Sequence, residues 1–275
     1  MITVDSEKCL RCSKCIKDCI VEVLKPGPNG IPFLDPELEK YCLNCQHCLA
    51  VCPAGALSCH GVTPEMCAPP GKLPGSAEMF DLLRMRRSCR QYKDENISSS
   101  AMETLKSSLA WTPTGCNDHR LFFRIIEDKE EMAFYRQETS RMLKFLIKTG
   151  IMALIYPKFK RYLAEIMAGK DVVYRNAPHM IVAATPKNAP CQEADPWIAL
   201  SYFDLLAQSL GIGTCWCGFG VHAFKWNLKL KKRLELPPGY RIGAVMLFGP
   251  PDVDIMRDTR GLSFFMSENK KWFAS

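Results

Sequence analysis

The sequence predicts an α+β fold in two domains, a small cysteine-rich module followed by a larger layered domain. Three observations carry that expectation. Four cysteines at x2, x2, x3 spacing are written twice near the start, as "CLRCSKCIKDC" from Cys9 and "CLNCQHCLAVC" from Cys42. A proline- and glycine-rich stretch, Pro64 to Ser76, follows and reads as a linker. Beyond it, helical periodicity and strand-like apolar runs succeed one another without βαβ regularity.

Composition narrows the class. The chain has 275 residues, 47% hydrophobic and 24% charged, with fifteen cysteines and a formal charge of +7. No apolar run approaches the roughly 18 residues needed to cross a bilayer, so no membrane span is expected. The charged opening "MITVDSEKCLRCSKC" does not fit a signal peptide, which makes a cytoplasmic location the expectation. In a reducing compartment, clustered cysteines point to metal ligation rather than disulfides. Two cores of about −2 each, thiolates included, would leave a net charge of roughly +3. With no arginine-rich tail, no nucleic-acid partner is expected.

The N-terminal module spans residues 1–60. Residues 9–24 and 42–57 share four cysteines and two leucines, the mark of one small unit present twice. Cysteines three apart on a tight loop can place sulfurs on three corners of one cubane, while the fourth points away. A single zinc ion fits this spacing poorly, because zinc favours separated CxxC pairs. The module resembles a bacterial-type two-cluster ferredoxin. That resemblance assigns Cys9, Cys12, Cys15 and Cys52 to one [4Fe–4S] cluster, and Cys42, Cys45, Cys48 and Cys19 to the other. Ile20 stands where proline usually follows the fourth cysteine; Pro53 keeps it.

After a linker over 61–77, the second domain occupies 78–275. Ser76 is the expected cap of a first helix reaching about Arg87, with Met79, Phe80 and Leu83 as its apolar stripe. Ser100 and Glu103 form a capping box for a second helix, which must stop before Pro113. Strands are expected at 121–126, 179–184 and 242–248. Between the last two lies a helix with Asp195 as cap and Pro196 at its first position. Ile198, Tyr202, Leu205, Leu206 and Leu210 make its expected core face, and Gly211 ends it.

Four motifs punctuate these elements: "RRSCRQY" from Arg86, "PTGCNDHR" from Pro113, "GIGTCWCG" from Gly211 and "LPPGYRIGAVMLFGPP" before the tail. In that order they resemble the flavin-dependent nitroreductase family over roughly 78–275, and its ferredoxin-fused members over the whole chain. The resemblance implies a central, mostly antiparallel sheet flanked by helices, and a homodimer with FMN at the subunit interface. FMN needs cations for one phosphate, polar groups for the ribityl chain and amide donors at the ring edge. Arg86, Arg87, Ser88 and Arg90 match the family's first motif, and Asn117 its flavin-edge asparagine. His119 occupies a position where many members carry glutamine. Gly213, Thr214, Cys215, Trp216, Cys217 and Gly218 would bring backbone amides to the flavin. Arg257 and Arg260 are candidates for the far side of the phosphate clamp. No GxGxxG follows a strand, which favours FMN over a dinucleotide flavin.

Other features invite readings of their own. Cys89, among arginines, is a candidate low-pKa nucleophile or a packed thiol. Cys215 and Cys217 could make half a metal site or simply pack in a strand. Cys59, Cys67, Cys116 and Cys191 read as buried or incidental thiols. A helical insertion at about 131–175 is expected to cover the flavin and shape substrate access, a membrane-surface helix being the alternative. The tail at about 262–275 carries Phe264, Phe265, Met266, Trp272 and Phe273, too many apolar groups for a free tail; the family resemblance implies that it wraps the other subunit.

The functional expectation is an oxidoreductase in which two [4Fe–4S] clusters exchange electrons with FMN. A nitroaromatic- or quinone-like small molecule is the acceptor, and reduced ferredoxin or NAD(P)H the donor. No side chain is assigned as acid or base, since the flavin leads the chemistry. The alternatives are a non-catalytic electron-transfer module, or a flavoenzyme driven by NAD(P)H that exports electrons through the clusters.

Overall fold

In the computed structural model, residues 1–150, 160–259, 263–266 and 271–274 are described. The chain divides into two compact units, Met1–Leu73 with Cys116–Asp118, and Pro74–Gly115 with His119–Ser275.

In the first unit the sequence repeat becomes a structural repeat. Strand β1 (Ile2–Val4) pairs antiparallel with β4 (Leu57–Cys59), and β2 (Leu24–Pro26) with β3 (Pro32–Leu34). Between them lie two single-turn helices, α1 (Lys14–Lys17) and α2 (His47–Ala50), at equivalent places in the two copies. Each is preceded by two left-handed residues, Arg11 and Ser13 in one copy, Asn44 and Gln46 in the other. Side chains rarely adopt that conformation, and here it winds each loop around its cysteines. His47 Nδ1 lies 3.1 Å from Asp18 Oδ2, tying α2 to the end of α1. Ile2, Val23, Leu24, Leu49 and Leu57 form the small core, together with Cys15, Cys48 and Cys59.

The second unit is built on a sheet of strand order β5-β6-β8-β7, all antiparallel, comprising β5 (Phe122–Ile126), β6 (His179–Pro186), β7 (Gly213–Trp216) and β8 (Tyr240–Gly249). Every residue of β6 is buried, because both faces of the sheet are covered. Side chains alternate across a strand. Met180 and Val182, with Val245 and Leu247 of β8, face α5 (Lys129–Lys148) and α8 (Gly218–Trp226). Ile181 and Ala183, with Ala244, Met246 and Phe248, face α4 (Ser99–Ser108) and α7 (Asp195–Ser209). Helices α3 (Ser76–Met85), α6 (Lys160–Met167) and α9 (Leu228–Arg233) complete the helical complement among the described residues, and a hairpin of β9 (Ser263–Met266) and β10 (Lys271–Ala274) lies near the C-terminus. The α+β class and antiparallel sheet agree with the sequence.

Three local expectations are corrected. Helix α4 is capped by Ser98, whose Oγ accepts the Ala101 amide, not by Ser100. Gly75, not Ser76, precedes α3, and Asp195 is already helical, its Oδ1 accepting the Gly115 amide at 3.0 Å. The core face of α7 is Ala199, Leu200, Phe203 and Ala207, whereas Ile198, Tyr202 and Leu210 are exposed. This helix is apolar around most of its circumference, so periodicity could not select the buried side. The aromatic residues and methionine of the tail lie among side chains outside the described residues, as does the 151–159 part of the insertion.

Two outcomes test this arrangement. Phe203→Ala should cost about 3–5 kcal/mol in urea unfolding and Leu210→Ala under about 1 kcal/mol. Burial pushes the His179 imidazole down to about 4, while its Nε2 accepts the Ile97 amide at 3.0 Å. The folded state thus holds His179 neutral, whereas the unfolded chain takes up a proton near 6.5. Its contribution is present above that value and declines as pH falls toward about 4. The stability advantage of the native chain over His179→Gln should therefore shrink between pH 7 and pH 4.5 in urea titrations.

Candidate functional site

Two sites can be built from the residues upward, one in each unit. In the first unit, Cys9, Cys12, Cys15 and Cys52 line one cavity, with Leu10, Pro53 and Leu57 in its walls. Backbone amides reach two of these sulfurs: Arg11 N–H donates to Cys9 Sγ at 3.4 Å, and Ala56 N–H to Cys52 Sγ at 3.2 Å. Among the described residues no group of three or more His, Cys, Asp or Glu is close enough to share one ion. The four sulfurs instead surround a cavity, which fits a multi-iron core. At the second motif, Cys48 and Cys59 are buried in the small core, and Cys42 is packed against it. Cys19 sits half-buried in the turn after α1, its carbonyl accepting the Glu22 amide.

In the second unit, three of the sequence motifs meet. Ser88 bridges Thr214 in parallel fashion, and the Cys89 amide donates to the Thr214 carbonyl at 2.7 Å. On the other side of the segment, Tyr92 bridges Pro251, and the Asp252 amide donates to the Gln91 carbonyl. Segment 88–92 therefore lies between β7 and the chain leaving β8. Gly213 makes this packing possible: a Cβ there would stand 2.6 Å from Cys89 Cβ and 2.7 Å from its Sγ.

The charged groups are organised around Asp204, a nearly buried carboxylate on α7. It accepts the Thr214 hydroxyl and pairs with Arg86 Nη1 at 3.5 Å. Arg87 is committed elsewhere: Nε donates to Thr259 Oγ1 at 2.9 Å, and Nη1 to the carbonyls of Arg84 and Arg86. Arg84 adds an ion pair with Asp258 at 3.1 Å. These contacts draw the 257–259 segment to the end of α3, with Arg257 and Arg90 exposed nearby in sequence. Arg260 lies outside the described residues. Asp204 and Thr259 were not singled out in the sequence; an acid within the apolar run "YFDLL" was the available signal for the first.

The remaining candidates fall in different places. Asn117 belongs to the first unit, where its Nδ2 donates to the carbonyls of Leu43 and Asn44 at 3.2 and 3.0 Å. His119 is exposed, with a left-handed backbone and its amide held by Thr114 Oγ1 at 2.9 Å. Trp216 stacks on Trp197 with ring centroids 4.9 Å apart. Cys217 follows β7 directly, and burial pushes its thiol up to about 12. Cys89 is also buried, and burial raises its thiol despite the neighbouring arginines, which overturns the low-pKa nucleophile reading. A separate pocket on the α5–α6–α8 side is lined by Met142, Leu163, Val172 and Phe219, with Arg175, His222, Thr139 and Tyr162 among its polar residues.

The comparison with known families bears on both sites. The nitroreductase family model matches residues 83–250, most of the second unit's described core. The chain belongs to the nitroreductase family. It is an oxidoreductase of that family, extended at its N-terminus by a 4Fe-4S dicluster domain matched over residues 8–57. Among relatives of this nitroreductase, an iodotyrosine deiodinase of Thermotoga neapolitana is 23% identical over 63% of this chain and 89% of its own length. A methylamine utilization ferredoxin-type protein, MauM of Methylobacillus flagellatus, is 40% identical over 18% of this chain and 24% of its own. A crystal structure of a nitroreductase with bound FMN from Desulfitobacterium hafniense covers 72% of this chain and 98% of its own, at 24% identity and a TM-score of 0.54. One from Bacteroides fragilis, also with bound FMN, covers 67% and 95%, at 18% identity and a TM-score of 0.53. No helix among the described residues is long and apolar enough to cross a membrane.

Gly213→Ala tests the packing of this site directly. The added methyl meets the Cβ of Cys89, which cannot swing aside, so unfolding stability should fall by about 1–3 kcal/mol. Thermal denaturation of the variant beside Gly211→Ala, where a Cβ would meet open space but φ is positive, separates the clash from backbone strain.

Proposed function

We propose that this nitroreductase is an FMN-dependent oxidoreductase whose N-terminal domain carries two [4Fe–4S] clusters as the electron inlet, with a nitroaromatic- or quinone-like molecule as acceptor. The observation that carries the reading is the meeting of segments 86–92, 213–216 and 250–259 in a protein whose other unit holds cysteines around a cavity. When bound, FMN supplies two-electron chemistry and the clusters one-electron chemistry.

The chain's own residues do the holding. Arg90 and Arg257 are exposed cations suited to the FMN phosphate, and Arg86, half-buried against Asp204, is oriented beside them in sequence. Ser88 adds a hydroxyl beside β7, where Thr214 donates its own to Asp204. The amides from Gly213 to Gly218 are the candidate donors to the flavin ring, with His119 and Arg260 as further proposed contacts. The pocket bearing Arg175 and His222 offers apolar walls with a few polar groups among them, which suits an aromatic acceptor. A relative named for iodotyrosine supports an aromatic substrate.

An exposed apolar face supports a homodimer. Met79, Phe80 and Leu83 on α3, and Trp197, Ile198 and Tyr202 on α7, all stand in solvent, Phe80 at 65% exposure. Large apolar groups on adjacent helices favour a partner surface. The 262–275 tail is proposed to wrap that partner; its deletion should give monomer or insoluble chain by size-exclusion chromatography.

Anaerobic stopped-flow of the holoenzyme tests the direction of flow. With reduced ferredoxin as donor, bleaching of the cluster bands should precede that of the flavin. Flavin bleaching first with NADH or NADPH, the clusters following, would reverse the assignment, and no turnover with small acceptors would leave an electron-transfer module instead.

A further inference from the structure

The cavity lined by α5, α6, α8 and the 172–175 segment holds a cation that the fold leaves without a partner. Its volume is about 90 Å³, several times the roughly 10–15 Å³ that admits one water. Leu143, Ile166 and Ala223, all buried, give it apolar walls, and Phe219 and Trp226 add two rings. Arg175 is the permanent cation on its lining, and no carboxylate lies there among the described residues. The Arg175 side chain is half-buried, and among the described residues its guanidinium makes no ion pair or hydrogen bond. Asp171, the nearest acid in sequence, is committed to the backbone: Oδ1 accepts the Tyr174 amide at 2.9 Å and Oδ2 the Asn176 amide at 3.1 Å. Those two bonds bracket Arg175, whose own φ is 54°, and the Tyr174 hydroxyl lies 3.0 Å from Thr139 Oγ1 on α5. The loop alone therefore sets where Arg175 leaves the backbone. The Cys217 thiol donates to the Val173 carbonyl at 3.5 Å, and Phe219 directly follows Gly218. The cavity thus adjoins the end of the 213–218 segment.

We propose that this cavity takes an aromatic carboxylate as its acceptor, with Arg175 as the residue that selects it. A guanidinium at the edge of an apolar cavity pairs with a carboxylate in forked geometry, while the aromatic ring fills the space beyond. A neutral ring of the same size strips water from Arg175 and returns nothing in exchange, so it binds less well. The charge requirement rests on the reading of this cavity as the acceptor site.

The test uses the full-length holoenzyme as native protein, Arg175→Gln and Arg175→Lys. Calorimetry of the oxidised protein measures binding of benzoate and of acetate, which shares the carboxylate but has no ring. Native protein should bind benzoate at least about 10-fold more tightly than acetate. Arg175→Gln should weaken benzoate about 10- to 100-fold, and Arg175→Lys should recover part of that loss. Equal benzoate affinity in native protein and Arg175→Gln overturns the proposal, as does equal affinity for benzoate and acetate. Should one variant fail to fold, the other decides by the same comparison with native protein. Stopped-flow reoxidation of the photoreduced holoenzyme then compares para-nitrobenzoate with nitrobenzene. In Arg175→Gln the half-saturating concentration of para-nitrobenzoate should rise about 10- to 100-fold, and that of nitrobenzene should stay within about twofold. An equal rise for both compounds overturns the selection by charge. If neither compound reoxidises the flavin while benzoate still binds through Arg175, the aromatic carboxylate site stands and its reading as the acceptor site fails.

Discussion

The antiparallel pairing of β6 with β8 is the constraint on which the second unit depends. Both strands are buried through most of their length, so neither face can be left to water, and helices must cover both. That requirement sets α5 and α8 on one side and α4 and α7 on the other. It also decides where the site can be. With β6 and β8 closed in, β7 at the sheet edge is free to take a segment from outside the sheet, and Ser88 and Cys89 occupy that position. Gly213 permits the approach, and Asp204, reaching from α7 to Thr214 and Arg86, fixes the charge beside it. A buried carboxylate is costly unless its oxygens are satisfied, and here a hydroxyl and a guanidinium share that task.

The first unit follows a different rule. Its core is too small to supply much hydrophobic stability, and three of its most buried side chains are cysteines. The left-handed turns at Arg11, Ser13, Asn44 and Gln46 add backbone strain to a unit with little to offset it. Metal–thiolate bonds are the natural compensation, because binding free energy of that kind is folding free energy. The same local geometry appears in both copies, so the repeat is a repeat of conformation as well as of spacing.

Much of this was legible in the sequence where a residue type has a narrow physical use. Cysteines at fixed spacing, the order of motifs and the apolar β6 and β8 runs all identified their elements. What failed was choice among equivalents. Ser98, Ser99 and Ser100 are all competent caps, and only the backbone selects Ser98. Helix α7 has apolar residues on nearly every side, so Phe203 and Tyr202 were indistinguishable until the sheet chose between them. Cys89 illustrates the same limit in electrostatics. Three arginines nearby in sequence suggested a lowered pKa, but Arg86 and Arg87 turn to Asp204 and to Thr259, and burial governs the thiol.

That division of the arginines has a consequence for the site. A cation already neutralised by a buried carboxylate contributes little net charge to a phosphate, and Arg86 is in that state. Arg87 makes four hydrogen bonds, two to Thr259 and one each to the Arg84 and Arg86 carbonyls, so it acts as a staple between α3 and the 257–259 segment. Arg90 and Arg257 are exposed cations, one on each of the two segments that the staple draws together. Paired cations hold the frame, and exposed ones face the solvent. In such an arrangement the contacts that position the segments are separate from the charges left to solvent.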